Sequence, residues 1–70
     1  MPKSQDLQQQ AEIAIEDTIQ SLRDALKMTD RADYTEALNY VLRGAMPGVT
    51  KVIEKLLDAR ETAGMEEHST

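Results

Sequence analysis

Glu12 and Glu16 stand four residues apart, a spacing that puts both carboxylates on one face of a helix. Paired carboxylates can move a proton or hold a metal ion, as the inward-facing carboxylates of some helical bundles do. Those bundles need a Glu-x-x-His partner, and the only histidine here, His68, sits beside Glu66 and Glu67 at the very end of the chain. A histidine in a terminal tail has no rigid shell to aim it at a metal, so His68 is expected to face solvent and the glutamates to form a solvated flank. No Gly-rich phosphate loop occurs, and no nucleophile is accompanied by a recognisable base. Without cysteine there is neither a thiolate zinc site nor a disulfide. The residues point to a non-enzyme with no cofactor and no metal.

The second chemistry a short chain can carry is recognition. "EALNYVLRGAMPGVTKVIEKL", residues 36 to 56, breaks at Gly44 and Pro47 between two apolar helical patterns, the outline of a helix-turn-helix. A DNA-reading second helix needs basic groups around it to hold phosphates. Residues 47 to 63 set Lys51, Lys55 and Arg60 against Glu54, Asp58 and Glu61, which cancel. Earlier in the chain Asp6, Glu12, Glu16, Asp17 and Asp24 outnumber Arg23 and Lys27. With a net charge of −5 and a sequence pI near 4.6, the cationic field that displaces counterions from a phosphate backbone is missing. The break is therefore expected to be a hairpin corner. A helix-turn-helix DNA-binding regulator is kept as a rival, and so is its opposite, a nucleic-acid mimic whose acidic helix face occupies a basic groove.

The elements that must position these groups are helical. From Ser4 to about Met28 the chain consists of strong helix formers with no Gly or Pro, which predicts one long helix with Ser4 as its N-cap. At about 100° per residue, Leu7, Ala11, Ala14, Ile15, Thr18, Ile19, Leu22, Ala25 and Leu26 fall on one side. That mixture of small and branched residues allows close helix approach and resembles a short coiled-coil seam. Ile13 points almost opposite and is expected to be a lone exposed aliphatic. "TDRADY", residues 29 to 34, is a polar connection in which Asp33, followed by Glu36, has the form of a capping box. The second helix would bury Tyr34, Ala37, Leu38, Val41, Leu42 and Ala45. Gly44 reads as its stop and Pro47 as the first turn of a third helix. That helix, from about residue 47 to 63, would turn Val49, Val52, Ile53, Leu56, Ala59 and Ala63 inward with Leu57 at the margin, and Gly64 would end it.

The expected fold class is all-α: a long N-terminal helix followed by a helical hairpin, two to three helices per chain, in a single domain, 1–70, with flexible ends at 1–4 and 64–70. Seventy residues with no Cys, Phe or Trp make a thin core, and short chains without staples tend to complete theirs by association. A homodimer is expected, with a seam of Ala11, Ile15, Thr18, Ile19, Leu22 and Leu26. On the second helix Tyr40 points away from the apolar stripe and shares a side with Glu36, Asn39 and Arg43. Tyr and Arg are enriched where proteins bind, and Met46 in the corner is an adaptable neighbour; these five are the candidate partner-binding residues. The longest apolar runs, "IAI" and "YVL", fall far short of a membrane span or a signal-peptide core, and the expected location is cytoplasmic. The reading is a small acidic non-enzymatic protein-binding module, an inhibitor, anti-activator or adaptor that regulates another protein such as a regulator or an enzyme. In size and acidity the chain resembles the small helical inhibitors that bacteriophages and mobile elements encode, a likeness of composition that covers no motif. A structural subunit of a larger assembly is the remaining rival.

Overall fold

Helix α1 spans Lys3–Asp30 in the computed structural model, which describes residues 3–68 and the side chains of 5–65. A three-residue connection leads to α2, Tyr34–Tyr40. A wide π turn, Val41–Ala45, and α3, Met46–His68, follow with no gap. Residues 34–68 therefore run as one long second helix, antiparallel to α1. No strand occurs among the described residues.

The corner expected at Gly44 and Pro47 does not form, so α2 and α3 are not a hairpin and no helix-turn-helix exists among the described residues. Pro47 still leaves its mark. Its ring would collide with the carbonyl of Arg43 in a regular α-helix, and it has no N–H to donate. The turn just before it widens instead: the Met46 N–H reaches back five residues to the Val41 carbonyl. A π bulge admits the proline without ending the helix. Gly44 does not act as a stop either, since no glycine takes a positive φ among the described residues. The second helix likewise continues through Gly64 to His68. At the other end α1 already includes Lys3, which places Ser4 inside the first turn rather than at the cap. Of the ends expected to be flexible, residues 1–2 and 69–70 lie outside the described residues.

The hairpin bend is at 31–33 and is closed by backbone bonds. Asp33 N–H donates to the Met28 carbonyl (2.8 Å) and Ala32 N–H to the Thr29 carbonyl (2.9 Å), the paired bonds of a Schellman motif. Its left-handed position is held by Ala32 at φ 59° in place of the usual glycine. Asp33 then opens the second helix, its carboxylate accepting from the Glu36 N–H at 3.2 Å. Only half of the expected capping box is used, because the Asp33 N–H is already committed to Met28.

The resulting rod measures 55 × 16 × 11 Å, with a radius of gyration of 15.9 Å. A compact domain of this length would have about 11 Å. The difference reflects two long helices side by side with no third layer over them.

The predicted stripe of α1 divides in two. Its small residues, Ala11, Ala14, Thr18 and Ala25, are buried against the second helix, which contributes Ala37 and Ala45. Its large residues stay outside: Leu22 is 49% exposed and Leu26 61%. The second helix divides the same way, with Leu38, Leu42, Val49, Ile53 and Leu56 exposed and Val41, Val52 and Ala59 half-buried. Tyr34 and Ala63, expected inward, are exposed.

Candidate functional site

Close approach of the two helices explains this division. Gly44 lies against Ser21 so tightly that a Cβ added there would come 2.9 Å from the Ser21 Cβ, and one added at Gly48 would meet the Thr18 hydroxyl. Small residues facing small residues draw the helix axes together, and the large side chains are squeezed to the flanks. The hydroxyls in this seam carry no desolvation penalty, because each bonds within its own helix. Thr18 donates to the Ala14 carbonyl at 2.8 Å and Ser21 to the Asp17 carbonyl at 3.3 Å. Among the described residues no buried side-chain polar atom lacks a partner.

On one flank the displaced apolar groups converge. Ile15, Ile19, Leu22 and Leu26, spaced by four, three and four, line the edge of α1 beside the seam. Leu22 meets Val41, Ala45, Met46, Val49 and Thr50 across an open groove of about 400 Å³. Val49, Ile53 and Leu56 continue the strip along the second helix at the same spacing. Among the described residues, the buried side chains are all alanine or threonine. A hairpin with its larger aliphatic groups outside and its smallest ones inside has left its main hydrophobic contact unmade.

Of the residues expected in a dimer seam, Ala11 and Thr18 are spent on the contact within the chain and are not available to a second copy. Ile15 is half-buried beside them, and Ile19, Leu22 and Leu26 lie on the open flank.

The other flank is polar. Glu36, Asn39, Tyr40, Arg43 and Gly44 line a shallow depression of about 320 Å³, which unites four of the five candidate partner-binding residues. Tyr40 and Asn39 are half-buried there, while Glu36 and Arg43 are exposed. Met46 is not part of this surface and belongs to the apolar groove. Further along, the Lys55 ammonium donates to Gln10 Oε1 at 2.9 Å and ties the two helices together, beside an exposed Ile13.

Glu12 and Glu16 are both exposed, and Glu12 accepts a hydrogen bond from the Gln8 amide at 3.3 Å. The side chain of His68 lies outside the described residues. No group of three or more metal-ligating side chains gathers among the described residues, and no described helix is long and apolar enough to cross a membrane.

Sequence reasoning missed the role of Gly44 and Gly48. Their four-residue spacing was a legible signal of close packing, as was the small series Ala11, Ala14, Thr18 and Ala25 opposite them. No family model, no curated protein and no solved structure matches the chain.

Proposed function

We propose that this chain is a small, non-catalytic protein-binding module of the inhibitor or adaptor kind, which works as a homodimer. The observation that supports the reading is the apolar flank around Leu22, whose larger side chains stay partly exposed along an open groove. A second copy laid on that flank converts two open grooves into the interior of a four-helix bundle. The polar flank around Tyr40 and Arg43 then stays outward on both copies and presents an aromatic and a cationic anchor beside Glu36 to a third protein.

The test has two parts. Multi-angle light scattering should give twice the 7.8 kDa chain mass, and thermal unfolding should move to higher temperature as concentration rises. A partner retained on immobilised protein should then be lost, roughly tenfold or more, in Tyr40→Ala, with the melting temperature of the module nearly unchanged. A chain that remains single at high micromolar concentration with a cooperative melt overturns the homodimer. Equal capture by wild type and Tyr40→Ala overturns the assigned face.

A further inference from the structure

The charges beside the apolar strip of α1 are not mixed at random. Glu12 and Glu16 flank its N-terminal half, and Arg23 and Lys27 flank its C-terminal half. All four are exposed, and the steps of four, seven and four keep them on one side of Ile19. The pairs 12 with 27 and 16 with 23 share one midpoint, between residues 19 and 20. The apolar residues obey almost the same centre: 15 with 26 and 19 with 22 share a midpoint between 20 and 21, displaced by a single helical rise of about 1.5 Å.

From this coincidence we infer that the occupant of the apolar groove is a second copy set antiparallel, α1 against α1, with the two-fold axis beside Ile19 and Gln20. The inference rests on the homodimer reading and specifies its geometry. In that arrangement Glu12 faces Lys27 of the other copy and Glu16 faces Arg23, and symmetry repeats both contacts. Ile19 packs on Leu22 and Ile15 on Leu26 across the axis. A parallel arrangement would set each glutamate against its own equivalent and each cation likewise, turning every one of these contacts repulsive. No such pairing can arise within one chain, since residues 12 and 27 are about 22 Å apart along a helix.

The second helix agrees. Gly44 and Gly48 sit opposite Ser21 and Thr18, so the level of the axis on that helix is close to Met46, which already lines the groove. Met46 from each copy meets at the centre of the bundle, where a flexible, polarisable side chain fills a symmetric gap well. The bends at 31–33 lie at opposite ends of the assembly.

The chain has no native cysteine, so single cysteines report the geometry directly under mild oxidation. Ile19→Cys should cross-link with itself. Glu12→Cys alone and Lys27→Cys alone should not, whereas their equimolar mixture should yield the 12-to-27 heterodimer. Wild type measured alongside by light scattering separates the two readings. A wild-type dimer whose Glu12→Cys and Lys27→Cys forms each cross-link with themselves is parallel, and a wild-type dimer that gives no cross-link at any of these positions does not place α1 on α1. Either result overturns this inference and leaves the homodimer standing; a wild-type monomer removes both. As a second readout, Glu12→Lys with Glu16→Lys, and Arg23→Glu with Lys27→Glu, should each weaken self-association roughly tenfold at low salt, and mixing the two variants should restore it. Mixing without recovery counts against the antiparallel pairing.

Discussion

The inner seam and the outer flank of this hairpin are made from the same stretch of α1 yet have opposite chemistry. Ala11, Ala14, Thr18 and Ala25 look inward and, being small, bury little area each, while Ile15 is half-buried and Ile19, Leu22 and Leu26 keep between 42% and 61% of their surface exposed. Burial is worth roughly 0.8 kcal/mol per methylene-sized group, so a seam of methyl groups holds two helices in register without supplying much stability. The flank holds the larger reserve of apolar surface. Geometry is thus set by one region and most of the available driving force by the other, and a shared boundary along Ile15 couples them.

Charge placed on the flank should separate the two regions most forcefully. Leu22→Asp puts an unpaired carboxylate into the groove, and it is expected to weaken self-association by at least about a hundredfold, with helicity falling at the same time because the seam alone holds little. Unchanged mass by light scattering and unchanged circular dichroism would show that the flank contributes nothing. Bulk placed in the seam should act next. Gly48→Leu meets Thr18 at once and should lower stability by about 1–3 kcal/mol, read as a lower urea midpoint. A rise in stability, as expected for a glycine replaced in an uncrowded helix, would mean that the helices are not in close contact there. A change that touches neither region sets the scale for both. Ala32→Gly relieves a left-handed alanine at the bend and should raise stability by about 0.5 kcal/mol; a loss of melting temperature would show that the bend has another shape.

Much of this arrangement was legible before the structure. The long first helix follows from an unbroken run of helix formers, and the start of the second from Asp33 and Glu36. Close approach along the alanines of α1 was also readable. The sequence misleads at residues 44 to 47, where glycine and proline carry two meanings. As local signals they end helices, but against a neighbour they permit contact or are absorbed by a bulge, and only tertiary packing decides between these. The same limit explains the candidate site. Spacing alone correctly grouped Glu36, Asn39, Tyr40 and Arg43, since they share one helix turn and its neighbour. Met46, placed in a corner and open to a role as core filler or adaptable contact, lines the apolar groove instead, beyond the π turn. Periodicity also gave α1 a single seam-like stripe, and could not say that a partner as slim as Gly44 and Gly48 would take only its small residues.

The bend at 31–33 favours first contact between the helices at its own end when the chain folds. So few residues closed by two backbone bonds leave little loop entropy to overcome, and the contacts nearest the bend, around Ala25 and Ala37, are close in sequence. Zipping from that end is a local and therefore fast process. Pairing of the two helices can begin without a second molecule, and the groove around Leu22 takes shape as they meet.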